Sequence, residues 1–189
     1  LKLDVTFLIS RIEAREAGKD LGILAALLEP HATDKIADLG AGFGWVTKNV
    51  ADRCEQVLAI EPDRRKVRRM HSSYPSLDCI VSIGEATPFR SSFLDRVYMR
   101  RSFHHAADQR RVVKELYRIL KPKGWVVIQE VNPEVQTGLV NWLERKLGSA
   151  HMNFLPPSQM KSLLGGEGLS VSRMEYRKAA YFVRAEKAA

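Results

Sequence analysis

A short apolar run, Ile36-Ala37, closes on an acid and opens onto alternating glycines: Asp38-Leu39-Gly40-Ala41-Gly42-Phe43-Gly44. Val46, Thr47, Val50 and Ala51 follow at a spacing that suits one face of a helix. Strand, tight turn and helix are expected in that order. Glycines in such a turn permit backbone dihedrals that a side chain forbids and let a ligand lie directly on the main chain. The N–H groups left unpaired at the helix start would then meet it. The dinucleotide fingerprint G-x-G-x-x-G needs a small residue where Trp45 stands. Asp38 at the strand end would also repel a pyrophosphate, and suits a ligand with an ammonium group and a sulfonium. A tight turn without a ligand is the alternative reading of this stretch alone.

Other strand ends carry acids as well. Gln56 to Ile60 closes on Glu61, about 20 residues past the glycine turn, where a carboxylate can accept hydrogen bonds from both ribose hydroxyls. Asp63 suits the N-cap of a helix whose buried edge is Val67 and Met70, which sends Arg64, Arg65, Lys66, Arg68 and Arg69 to water. A third strand, Leu77 to Ile83, runs into Gly84-Glu85-Ala86-Thr87-Pro88-Phe89, and a fourth, Phe93 to Met99, into Arg100-Arg101-Ser102-Phe103-His104-His105. Asp38, Glu61 and Glu85 would thus share one edge of a parallel sheet, where ligands collect in open α/β folds.

Asp108 to Leu120 is the clearest helix, capped by Asp108, with Val112, Val113, Leu116, Tyr117 and Leu120 turned inward and Arg111 and Glu115 paired outside. Lys121-Pro122-Lys123-Gly124 turns the chain into the strand Trp125 to Gln129. Asp20 to Glu29 reads as a helix with Leu21, Leu24 and Leu28 on one face, ended by Pro30. The C-terminal part reads as a helix, Ser158 to Leu164, and two weak strands around Val171 to Tyr176 and Ala180 to Arg184.

The glycine loop, the acid after the second strand, Glu85-Ala86 with its Pro-Phe segment, the paired histidines and Leu120-Lys121-Pro122-Lys123-Gly124 resemble, in this order, the motifs of the class I S-adenosylmethionine-dependent methyltransferases. Lys123 departs from them, standing where that family usually has Gly. The resemblance spans about Lys35 to Ile128 and is similar to the small-molecule branch. It implies an α/β, Rossmann-like, doubly wound and mostly parallel seven-stranded sheet with an antiparallel C-terminal strand. It also implies methyl transfer from S-adenosylmethionine to an acceptor, leaving S-adenosylhomocysteine.

The cofactor contacts that the resemblance implies are Asp38, Gly40, Ala41, Gly42 and Gly44 in the loop, with Glu61 and Pro62 after the second strand. Gly84, Glu85 and Ala86 follow the third, the last two toward the adenine, and Arg101 follows the fourth. His104 and His105 are the candidate general bases, since imidazole titrates near neutral pH; packing over the cofactor is their other role. Residues 131–157 are expected to form an acceptor-side insert, with Trp142, His151 and Phe154 as candidate acceptor contacts and plain core packing as the alternative. Residues 1–30 are expected to form a helical cap. An Asp/Asn-Pro-Pro-Tyr/Phe motif, which serves amino-methylating enzymes of the superfamily, is absent after the fourth strand, and this argues against a base amine as acceptor.

At 189 residues the chain fits one domain. No apolar run approaches the roughly 20 residues of a membrane helix, and the first ten residues lack the order of a signal peptide, so a cytoplasmic location is expected. Neither Cys54 nor Cys79 belongs to a C-x-x-C pair, and His31, His71 and His151 are scattered, so no metal site is expected. The net charge of +8 keeps two alternatives to a small-molecule enzyme: an RNA methyltransferase using a basic surface, and a cofactor-binding interaction module without turnover.

Overall fold

The computed structural model describes residues 20–54, 56–135 and 152–189. Seven strands form one sheet: β1 (Lys35–Leu39), β2 (Gln56–Ile60), β3 (Asp78–Ile80), β4 (Leu94–Arg100), β5 (Leu120–Val131), β6 (Leu169–Arg177) and β7 (Ala180–Lys187). Their order is β3-β2-β1-β4-β5-β7-β6. The first five run parallel, and β7 enters antiparallel between β5 and β6. This is the doubly wound arrangement that the motifs predict. The order reverses between β1 and β4, which opens a crevice at their carboxyl ends.

Helices cover both faces: α1 (residues 20–28), α2 (Trp45–Ala51), α3 (Arg64–Ser73), α4 (Gln109–Ile119) and α5 (Pro157–Gly166). Alternation along the strands assigns the faces. Ile36, Tyr98, Val127 and Phe182 pack against Leu24, Leu27 and Leu28 of α1 and Val50 of α2. Ala37, Leu39, Val97, Val126 and Ile128 pack in one cluster with Val112, Val113 and Leu116 of α4 and Met160 and Leu164 of α5. Asp63 and Asp108 cap α3 and α4 as expected, accepting from the N–H groups of Arg65 and Arg111.

The sequence reading errs at a few places, each for a tertiary reason. β3 ends at Ile80 rather than Ile83, because as an edge strand it has only β2 to pair with, and the chain then turns through an Ile83–Ala86 bridge. Glu115 does not pair with Arg111 at the surface: it is buried, binds the Arg118 guanidinium at 2.7 Å and accepts from the Thr87 N–H and hydroxyl at 2.7 and 2.6 Å. This anchors the loop after β3 to α4. Tyr117 is 41% exposed instead of inward. The turn expected at Lys121–Gly124 becomes an irregular start of β5, with Lys123 in the left-handed region at φ 62°. Gly124 is required there, since a Cβ would meet the carbonyl oxygens of Asp95 and Lys121 at 2.8 and 2.9 Å.

Candidate active site

The glycine loop joins β1 to α2 at the crevice. Gly40 and Ala41 donate to the Ile60 carbonyl at 2.8 and 3.0 Å, Gly44 donates to the Ala41 carbonyl at 2.9 Å, and Gly42 donates to Oε2 of Glu61 at 2.9 Å. The N–H groups of Gly40, Ala41, Gly42 and Gly44 are thus engaged within the protein, and the start of α2 just beyond them carries no side-chain cap. What the loop offers is close approach. At Gly44, with φ 78°, a Cβ would collide with Met70 Cγ at 2.4 Å. At Gly42, with φ 61°, it would point into open space, a cradle that suits a bound group lying on the main chain.

Asp38 and Glu61 sit side by side at the ends of neighbouring strands. Asp38 is buried and accepts from the Thr47 hydroxyl at 2.6 Å. Burial raises its pKa to about 6, against the Thr47 hydrogen bond; Glu61 adds to the rise and Arg100 opposes it. Glu61 is buried as well, its Oε1 accepting from the Asp63 N–H at 3.1 Å with Lys66 Nζ 3.6 Å away. Both Glu61 oxygens are oriented by the backbone, and each keeps a lone pair for a further donor.

Glu85 is turned differently. Its Oε1 accepts from the N–H groups of Ala107 and Asp108 at 2.9 and 3.4 Å, just before α4, so it joins the loops after β3 and β4. Ala86 donates at 3.5 Å to Ile83, and Pro62 is exposed. A Cβ at Gly84 would lie in ordinary van der Waals contact with Val112. Arg101 follows β4 with φ 49°, its N–H on the Gln129 carbonyl at 2.9 Å.

The paired histidines form a short 3-10 turn, Phe103–His105, and part company there: His104 is buried and His105 exposed. His104 Nδ1 lies 2.8 Å from Oε2 and 3.1 Å from Oε1 of Glu130, at the end of β5. The same carboxylate accepts from the Phe103 N–H at 3.1 Å. Phe154 stacks on the His104 ring with centroids 4.3 Å apart, and the His105 ring lies 4.1 Å away. Partial burial, then the neighbouring His104 and the cations Lys66 and Arg101, pull the His105 pKa down to about 4 against the pull of Glu130. Such an imidazole is neutral near pH 7 but a weak base.

Reciprocal bonds hold Phe154 in place. Gln109 Nε2 donates to the Asn153 carbonyl at 2.7 Å, and Asn153 Nδ2 returns a bond to Gln109 Oε1 at 3.0 Å. Asn153 N donates to the His104 carbonyl at 3.0 Å, and the Tyr181 hydroxyl to the Leu155 carbonyl at 2.9 Å. Trp142 and His151 lie outside the described residues. Glu130, Gln109 and Asn153 are absent from the sequence-based list of site residues, although an acid closing an apolar strand was the signal used for Glu61 and applies equally to Glu130. Among the described residues no cluster of three or more His, Cys, Asp or Glu could hold a metal ion.

A family profile described as "Methyltransferase domain" matches residues 37–128. The uncharacterized methyltransferase YcgJ of Bacillus subtilis is 24% identical over 162 residues, covering 81% of this chain and 64% of its own. An uncharacterized methyltransferase of Schizosaccharomyces pombe, C25B8.09, is 28% identical over 116 residues, 61% of this chain and 45% of its own. The chain thus spans about half to just under two thirds of these relatives' length. In fold, the YcgJ crystal structure superposes with a TM-score of 0.80 at 16% identity over 91% of this chain and 99% of that one. A putative methyltransferase of Haloferax volcanii, solved in complex with the Trm112 methyltransferase activator, superposes with a TM-score of 0.82 at 16% identity over the whole of both chains. Sheet order, glycine loop, strand-end acids and profile match agree, and residues 37–128 form a methyltransferase domain of the class I S-adenosylmethionine-dependent superfamily.

Proposed function

We propose that the chain transfers the methyl group of S-adenosylmethionine to a small-molecule acceptor. The observation that carries this reading is the Gly42–Glu61 hydrogen bond of 2.9 Å, which fixes a buried carboxylate against the open glycine position. A carboxylate so placed suits a ribose diol. Asp38, one strand over and ionised at neutral pH, suits the positive end of the same ligand. Gly84, Glu85 and Ala86, clamped to α4, would border the adenine, with Gly40, Ala41, Gly44, Pro62 and Arg101 completing the surround. The bound sulfonium supplies a methyl group already activated for transfer. The protein's task is then alignment and exclusion of water, and holding the attack line can lower the barrier by about 7 to 11 kcal/mol.

Calorimetric titration with S-adenosylmethionine, S-adenosylhomocysteine and NAD tests the reading. Binding of the first two without the third is expected; binding of NAD alone would overturn it. RNA is the alternative acceptor, supported by the exposed cations Arg64 and Arg68 of α3. RNA affinity that falls steeply with salt would favour that acceptor.

A further inference from the structure

We infer that the outer edge of β6 is a self-association surface, on which a second copy of this chain lays its own β6 antiparallel and continues the sheet. The sheet has two edges, β3 and β6. β3 is three residues long and the chain turns away after it, which leaves little to pair with. β6 runs nine residues, Leu169–Arg177, and carries neither the proline nor the lysine that commonly guards an edge. Among the described residues only β7 pairs with it.

Which main-chain groups stay open follows from the hairpin that joins β6 to β7. Arg177 pairs with Ala180 across a two-residue turn, and a pair closing such a turn exchanges both of its hydrogen bonds. Alternation then directs Glu175 and Arg173 toward β7 and leaves the N–H and C=O groups of Met174 and Tyr176 aimed off the edge. The register shift between Val171 and Arg173 marks the amino-terminal limit of this regular stretch. A twofold axis at Met174 lets the two Met174 residues exchange main-chain bonds and brings Tyr176 opposite the partner's Ser172.

Side chains select where that axis falls. Arg173, Glu175 and Arg177 lie on the α1 side, where Arg173 and Arg177 reach Glu29 and Asp20 at 3.5 and 3.1 Å. The Arg173 side chain stays 57% exposed there, and Glu175 is exposed as well. On the opposite side Met174 packs against the α4 and α5 cluster, and the exposed Tyr176 lies beside it with its hydroxyl 4.0 Å from the Met174 sulfur. With the axis at Met174, each Arg173 faces the partner's Glu175, whereas an axis at Arg173 or at Glu175 would set like charges against each other. The two Met174 side chains then meet on the other face, flanked by two tyrosine rings. One register thus satisfies both faces, ionic on one and apolar on the other. β5 and β7 stand between this edge and β4, so the crevice between β1 and β4 stays open in each copy.

Sedimentation equilibrium of the full chain, from about 1 μM to about 1 mM, tests the seam. The wild type is expected to pass from monomer to dimer within this range. Arg173→Glu and Glu175→Arg should each weaken the dimer roughly tenfold or more, since either change turns both cross-seam pairs into like-charge pairs. Mixing the two variants should restore the dimer, because one then carries acids at 173 and 175 and the other cations. A wild type still monomeric at the highest concentration, single variants that dimerise as well as the wild type, or a mixture that does not recover would overturn the proposal. Met174→Pro decides the point if a charge variant fails to fold, because it removes an N–H aimed off the edge and none from the β7 ladder. It should stay monomeric throughout, and a dimer of wild-type strength would count against the seam.

Discussion

The two halves of the crevice are built in different ways. Around β1 and β2, the loop, Asp38, Thr47, Glu61 and Asp63 lie within one stretch of chain, and their defining bonds join residues at most 19 apart. Around β4 and β5, His104 meets Glu130, Gln109 meets Asn153 44 residues on, and Tyr181 fixes Leu155 from β7. The first half is a local motif that one strand–turn–helix–strand unit can write. The second is assembled from five separate segments, and its pairings run between them rather than within any one. In the proposed reading, cofactor chemistry belongs to the first half and acceptor chemistry to the second.

The contrast makes testable claims, the first about the glycines. Gly44→Ala should destabilise the fold by about 3 kcal/mol, since an L side chain is strained at φ 78° and its Cβ drives into buried Met70; urea melts will read this. Gly42→Ala, at similar φ but facing open space, should cost only about 1 kcal/mol of stability while blocking the cofactor. Equal stability losses would erase the distinction between structural and cradling glycines.

Glu61→Ala should weaken S-adenosylmethionine binding about 100-fold, the loss of one to two charge-assisted hydrogen bonds, as read by calorimetry. Unchanged affinity would take the ribose role from the first half.

Asp38 supplies a pH signature. Its folded pKa of about 6 lies above the ordinary 3.8, so its contribution to stability is complete below 3.8 and lost as pH rises through about 6. Ligand binding runs the other way, because a cation needs the carboxylate ionised. S-adenosylmethionine affinity should therefore rise about tenfold from pH 5 to 7, and Asp38→Asn should flatten that slope.

The smallest effect belongs to the second half. A double-mutant cycle of Gln109→Ala and Asn153→Ala should give a coupling of about 1 kcal/mol. Additive losses would mean that the arm bearing Phe154 is not held by this pair.

Much of the first half could be read in the chain directly. Short apolar runs marked the strands, Asp63 and Asp108 marked helix starts, and the acids closing β1 and β2 fell where the sheet brings them together. Glu85 was legible as an acid beyond the third strand but not in its direction, because its partners, the N–H groups of Ala107 and Asp108, lie more than twenty residues away. Arg111 and Glu115 were paired by helical spacing alone, and the burial of Glu115 against Thr87 redirected it to Arg118. The paired histidines looked equivalent as letters. The fold made them unlike, putting one against a carboxylate and leaving the other at the surface.

By itself the sequence determined the sheet, its helices and the cofactor-side loop, because each depends on periodicity and spacing within a few turns of chain. Which histidine meets Glu130, and which ring covers it, was decided by tertiary structure alone. Those partners are brought together by the sheet order β1-β4-β5-β7, a property of the assembled layer that no single segment encodes.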